Sequence, residues 1–305
     1  MLVNQSTIQS IFIGLKTHFD KAFQGAPSQW QQTAMLVPST AAQNDYAWLS
    51  NFPRMRKWIG EKIIKSISAF KYSIVNDDFE VTVEVDRNHI EDDQLGIYAN
   101  HAQMAGFSAR QLPDEIVAEL KNNAFASKCY DGQYFYDTDH PVTNSDNTTS
   151  SVSNKLTVAL SAASQAAAAA SFGAARLAIM SFKDEEGRPL NLMPDVLEVP
   201  PALETTANML MSSDKLADNA QNPYKGMAKV LVNPRLSSDT AWFLHVTSMP
   251  VKPFIYQERK APVFVSQADS SSDDVFYRRS FKYGAEARAA GGYGFWQMSV
   301  GSTGA

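Results

Sequence analysis

At 305 residues, with 44% apolar and 19% charged side chains, the chain is long enough for one large domain or two closely joined ones, with a sizeable core. Its formal net charge of −5 argues against a nucleic-acid reader, whose affinity rests on Lys and Arg neutralising phosphates; it does not exclude a protein that encloses DNA without gripping it. A single cysteine, Cys129, rules out an intrachain disulfide framework and gives no sign of an oxidising compartment.

The first residues carry no basic leader region and no small-residue cleavage site, so no secretory signal is expected. Residues 2–24 read as an amphipathic helix, because Ile8, Ile11, Phe12, Leu15 and Phe19 recur at helical spacing. Gly25-Ala26-Pro27 ends it. Residues 26–53 read as extended and irregular, and Trp30, Met35, Leu36, Val37, Tyr46 and Trp48 need a surface to cover them, which suggests an arm.

Residues 62–90 carry the clearest period-two signal. Phe79, Val81, Val83 and Val85 alternate with Glu80, Thr82, Glu84 and Asp86; before them Phe70, Tyr72 and Ile74 alternate with Lys71 and Ser73. With a turn at Asp77-Asp78, Ile74 faces Val81, Tyr72 faces Val83 and Phe70 faces Val85 on one side of a hairpin. Strands of about 13 residues would reach roughly 40 Å. An isolated two-stranded ribbon is marginal in water, so its apolar face is expected to lie against a neighbouring subunit.

Helical spacing resumes over 93–110, and Pro113 restarts the register, with Ile116, Val117, Leu120, Ala124 and Phe125 as an apolar stripe. The polar tract 141–154 reads as a surface loop. Ser153 or Asn154 is placed to cap an Ala-rich helix over about 155–182. The uncharged run within it, 156–175, is too rich in Ala, Ser and Thr for a membrane span. An extended stretch, 190–199, and a helix over 201–212 follow, then a loop over 213–223. Beyond 225 the signal is mostly strand: 228–232, 241–247, 253–258, 275–287 and 293–300. Helices and strands mix without a βαβ rhythm, so the class is α+β.

No motif is specific for catalysis. His89 lies near Glu91, Asp92 and Asp93 without metal-ligand spacing, and these acids suit a helix start. Asp137-Thr138-Asp139-His140 lacks the glycine and distal glutamate of an EF-hand loop and reads as a hydrogen-bonded turn. Cys129 with His140 lacks the flanking signature of a thiol nucleophile. Gly284, Gly291, Gly292 and Gly294 match no phosphate loop and are expected to relieve a bend or bulge. Neither a catalytic site, a metal nor a cofactor is expected.

Long strings resemble the Mu-like prophage major head subunit family: MLVNQ at 1–5, YAWLSNFPRMRKWIGEK at 46–62, YSIVNDDFEVTVEVDRNHIEDDQLGIY at 72–98, CYDGQYFYDTDHPV at 129–142, LEVPPALE at 197–204, AWFLHVTSMPVKPFIYQERKAPVF at 241–264 and FKYGAEARAAGGYGFWQMS at 281–299. The resemblance implies the tailed-phage and herpesvirus major capsid protein fold. It assigns 1–53 to an N-terminal arm and 54–91 to an E-loop hairpin. Residues 92–135 and 262–292 become a peripheral domain with a spine helix, and 136–261 and 293–305 an axial domain. It implies self-assembly through pentamers and hexamers into an icosahedral head, with Phe70, Tyr72, Ile74, Val81, Val83 and Val85 touching neighbouring subunits. Scaffold, portal and decoration proteins are the implied partners. Double-stranded DNA is enclosed without sequence-specific contact, no membrane is involved, and the chain is made in the host cytoplasm. The competing readings are another virion component, such as a decoration or tail-tube protein, and a thiol or metal hydrolase.

Overall fold

The computed structural model describes residues 5–50, 72–92, 96–143, 148–184, 187–267, 269 and 273–305. In chain order the elements are α1 (Gln5–Gly25), β1 (Ala34–Pro38), β2 (Gln43–Asp45), β3 (Ser73–Val75), β4 (Asp77–Asp86), α2 (Arg87–Glu91), α3 (Gly96–Asn123), β5 (His140–Thr143), β6 (Thr149–Val152) and β7 (Lys155–Leu156). There follow α4 (Gln165–Ala168), a π turn (Ala169–Gly173), α5 (Ala174–Ser181), β8 (Val196–Val199), α6 (Glu204–Ser212), β9 (Lys229–Val232), β10 (Trp242–His245), β11 (Phe254–Gln267), α7 (Asp273–Arg278), β12 (Ser280–Tyr293) and β13 (Ser299–Ser302).

Two sheets organise the chain. The first runs β1-β11-β12-β4, with β1 parallel to β11 and the other pairs antiparallel. Helices α1 and α3 pack together over its inner face. Ile8, Phe12 and Leu15 bury against Val85, Phe281 and Tyr283; Phe19 meets Ala105, Ala109 and Ala285. The apolar stripe that predicts α1 is therefore the face that seats it. The second sheet runs β7-β13-β10-β8-β9 and is buried along β8, β10 and β13. The largest core cluster spans both sheets, from Trp30 and Tyr256 to Trp242 and Val300.

Several expectations are corrected. Period two in 77–86 is right, but its partner is different. Phe79, Val81, Val83 and Val85 stand opposite Ala287, Ala285, Tyr283 and Phe281 of β12, not opposite 72–74. The strand runs straight through Asp77-Asp78, so no turn forms there. Two causes are local. Asp-Asp is a poor two-residue turn pair, because both positions would need positive φ. Asn76, expected at the turn, is a buried joint: its Nδ2 donates to Ser39 Oγ (3.0 Å) and the Ala41 carbonyl (2.9 Å), and its Oδ1 accepts from Gln257 Nε2 at 2.8 Å. Strand β3 pairs instead with β2, and the Tyr46 N–H donates to the Tyr72 carbonyl at 2.8 Å. Phe70 lies outside the described residues.

Helix α3 continues through Pro113 rather than restarting. Proline costs it one backbone bond, and the neighbouring Asp114 fastens the helix elsewhere. Its carboxylate accepts from Ser28 Oγ (2.6 Å) and from the N–H groups of Gln29 and Trp30 (2.8 Å each), tying the exit of α1 to the middle of α3. The Ala-rich helix begins at Ser164, whose Oγ accepts from the Ala167 N–H at 3.2 Å, not at Ser153 or Asn154. Helix propensity loses over 155–163 because β7 adds to the second sheet beside β13. The polar tract 141–154 holds the hairpin β5–β6 rather than only loop. Residues 275–278, expected as strand, are helical in α7, and the chain enters β12 through Arg279 at φ 58°. Strand β11 is continuous, so the expected domain boundary between 261 and 262 falls inside it.

Candidate functional site

The expected contact residues are mostly covered by their own chain. Val85 is fully buried and Ile74 is 6% exposed, while Tyr72, Val81 and Val83 are half-buried. Tyr72 accepts from the Tyr293 N–H at 2.8 Å, which pins β3 to the end of β12. Gly292 makes room for this, since a Cβ there would overlap the Ile74 side chain. Beneath Phe79 and Val81 a cleft of about 180 Å³ opens between β4 and α3, lined also by Leu112, Ala285 and Ala287.

Among the described residues the chain presents a paired stem and the open edge of β4. Strands β2 and β3 are antiparallel neighbours, so the chain leaves after residue 45 and returns before 73 at one place. Around that stem Leu36, Val75 and Trp48 are exposed at 51%, 58% and 38%. Among the described residues, β4 has a ladder partner on one side only. It carries Asp77, Asp78, Glu80, Glu84 and Asp86, and charge on an open edge blocks indiscriminate strand addition.

A buried polar chain that no sequence motif announces lies at the seam between α3 and the second sheet. Lys121 Nζ donates to Thr33 Oγ1 and to both oxygens of Glu198, each at 2.8 Å. Asn233 Nδ2 donates to Glu198 Oε1 at 2.7 Å. His245 Nε2 lies 3.1 Å from Glu198 Oε2, its Nδ1 2.8 Å from Ser299 Oγ, and Ser299 Oγ 2.6 Å from the Tyr136 hydroxyl. No spacing motif announces these residues, because α3, β8, β10 and β13 meet only in the fold. Ser299, His245 and Glu198 have the pairing of a hydrolytic relay, but all three are fully buried and the serine is engaged by Tyr136, leaving no path for a substrate.

Burial opposes charge on Glu198, yet Lys121 and His245 hold its carboxyl down at about 2. Burial pushes the His245 imidazole below its usual range, outweighing the pull of Glu198. The ring is therefore neutral: Nε2–H donates to the carboxylate and Nδ1 accepts from the serine. Both groups bind protons more weakly when folded, so both contribute stability above their ordinary values and lose it as pH falls. The histidine share begins to fade below about pH 6.5 and the glutamate share below about pH 4.3. Thermal melts of the purified chain should fall in two stages, and His245→Gln should shrink the upper one. An unchanged slope between pH 7 and 5 in that variant would contradict the neutral assignment.

Of the remaining polar candidates, Cys129 and His140 come together through Asp131, while His89 pairs elsewhere. His89 Nδ1 meets the Tyr98 hydroxyl at 2.6 Å. The Asp137 carboxylate takes the N–H groups of Thr138 and Tyr134, as a turn does. His140 turns away from that run to Asp131, 2.7 Å from its Nδ1, and Asp131 also accepts from the Cys129 thiol at 3.1 Å. Gly284, Gly291 and Gly292 lie within β12 as seats for close neighbours, and the irregularity expected of them falls in β11, between Glu258 and Val263. Among the described residues no helix is long and apolar enough to cross a membrane.

Comparison with known proteins follows the same lines. The chain matches the family described as "Mu-like prophage major head subunit gpT" over residues 8–164, 158–236 and 233–305. It is 31% identical to the major capsid protein of Escherichia phage Mu over 301 residues, 98% of this chain and 74% of that one. It is 30% identical to the Mu-like prophage FluMu major head subunit of Haemophilus influenzae, over 97% of this chain and 73% of that one. Among solved structures it is similar to a chain of the procapsid of bacteriophage JBD30, with a TM-score of 0.62 and 31% identity, covering 98% of this chain and 76% of that one.

Proposed function

We infer how this subunit builds a shell from one premise: the chain belongs to the Mu-like prophage major head subunit family, has the tailed-phage capsid-protein fold, and is a major capsid protein. The observation that carries the reading is the β2–β3 stem. Its two strands are held by each other, by the Tyr46–Tyr72 backbone bond and by the knot of Ser39, Asn76 and Gln257. A rigid base that sends the chain out and takes it back suits an E-loop reaching over a neighbour. Residues 51–71, on which the reach of that E-loop rests, lie outside the described residues. Of the six residues assigned to that contact, Tyr72 and Ile74 anchor its base, while Val81, Val83 and Val85 hold β4 on β12 beneath α1 and α3.

The first sheet with α1 and α3 forms the peripheral part, with α3 as its spine, and the second sheet with α4 to α6 forms the axial part. Non-identical contacts at the stem and at the sheet edges close through rotational symmetry into pentamers and hexamers of an icosahedral head. Each contact is modest, and their simultaneous engagement holds the shell. The net charge of −5 suits a wall that encloses double-stranded DNA without trapping it. Scaffold, portal and decoration proteins complete the particle, and synthesis takes place in the host cytoplasm. The subunit performs no catalysis.

Replacing residues 51–71 by a short Gly/Ser linker tests this division of labour. The stem already closes the chain at Tyr46 and Tyr72, so the variant should fold with nearly the parental Tm and fail to form shells. Shells at the parental yield would remove the E-loop role.

A further inference from the structure

Cys129, Asp131 and His140 come together although no spacing motif links them. The thiol sulfur, a carboxylate oxygen and a ring nitrogen all lie within 4.8 Å of one another. Cys129 is 5% exposed and His140 fully buried. Asn154 decides what His140 presents to this cluster. Its Nδ2 donates to the carbonyls of Phe135 (2.8 Å), Trp296 and Ser299 (3.2 Å each), which fixes the amide with Oδ1 as acceptor. That oxygen already accepts the Asp137 N–H at 3.0 Å. His140 Nε2, 3.1 Å from the same oxygen, must then carry hydrogen. In a neutral ring the lone pair sits on Nδ1, aimed at Asp131 Oδ2 at 2.7 Å, acceptor against acceptor. A positive species has to lie between them, either a proton or a metal ion.

We propose that Cys129, Asp131 and His140 form a binding site for a thiophilic divalent cation, zinc being the metal whose preferences the donor set matches. Sulfur, imidazole nitrogen and carboxylate are its three usual donor types, and a solvent molecule reaching Asp131 completes four-coordination. The environment is that of a ligand histidine, with the far nitrogen anchored on an acceptor. The ring also lies flat on Trp296, centroids 4.1 Å apart, which fixes its plane. Donors at about 2.0–2.3 Å from zinc stand about 3.3–3.6 Å apart, so small shifts of the 129–133 turn suffice. On binding, the thiol proton and the proton bridging Asp131 and His140 leave to solvent, and Sγ and Nδ1 each bond the metal.

The full chain, purified without chelator and equilibrated with zinc before gel filtration, should retain about one zinc per chain by elemental analysis. Cobalt in its place should give a thiolate-to-metal charge-transfer band. Cys129→Ser should abolish the band and weaken zinc affinity at least about tenfold. His101→Ala, at an exposed histidine, should change neither. Wild-type chain that stays folded and retains less than about a tenth of an equivalent would overturn the proposal and leave a proton as the bridge. Full zinc retention by Cys129→Ser would overturn it too, by placing the metal elsewhere. Because the first readout uses unmodified protein, a variant that fails to fold does not rescue the idea.

Discussion

Lys121→Met should cost the subunit about 3–5 kcal/mol, as removal of one partner from a buried ion pair does. Lys121 is 2% exposed and Glu198 fully buried, so neither charge has water to fall back on. Methionine fills much of the lysine stem's space but leaves the carboxylate with only Asn233 and His245, and Thr33 without its donor. Adding Glu198→Gln should recover part of the loss, because no bare charge remains, the amide oxygen accepts from Asn233, and the amide NH2 donates to His245 Nε2 once that ring takes its other tautomer. Urea unfolding of unassembled subunits measures both. A single-variant loss below about 1 kcal/mol, typical of an exposed pair, would mean that water reaches the seam.

Gly284→Val should cost at least about 3 kcal/mol, through backbone rather than side-chain crowding. A Cβ at Gly284 would overlap the Val81 carbonyl oxygen, and backbone cannot swing aside as a flexible side chain does. Strand β4 would have to leave β12, uncovering Val83 and Val85 and the α1 face packed on them. Hydrogen exchange should show protection lost over 77–86 and kept in β8, β10 and β13. Gly14 is the internal control: nothing lies within 4 Å of a Cβ built there, so Gly14→Ala in α1 should stabilise by about 0.5–1 kcal/mol. Retained protection of β4 in Gly284→Val would show that the strands do not approach so closely.

The parts of this fold legible in the sequence are those whose periodicity is set by one local face. The stripe Ile8, Phe12, Leu15, Phe19 foretells α1 because a single surface, α3 with β12, covers it. The alternation in 79–85 foretells a strand and its inward face, but period two carries no partner identity, and the nearest alternating segment was not the partner. Ala166–Ala170 foretells a helix; its start was misplaced because propensity says nothing of the edge that β13 offers β7. The buried chain from Lys121 to Tyr136 left no trace, since its members come from 121, 136, 198, 233, 245 and 299. Asn154 shows the same limit: a good cap by residue type, it serves as a hub between His140, Trp296 and Ser299. Family resemblance supplied what periodicity could not, namely that the chain is a capsid subunit.

The shell-forming role is tested most directly by electron microscopy of the full chain expressed alone. Closed icosahedral particles of uniform diameter, with each subunit's 51–71 segment lying over an adjacent copy, are the expected result. A compact monomer at high concentration, or open tubes, would contradict it.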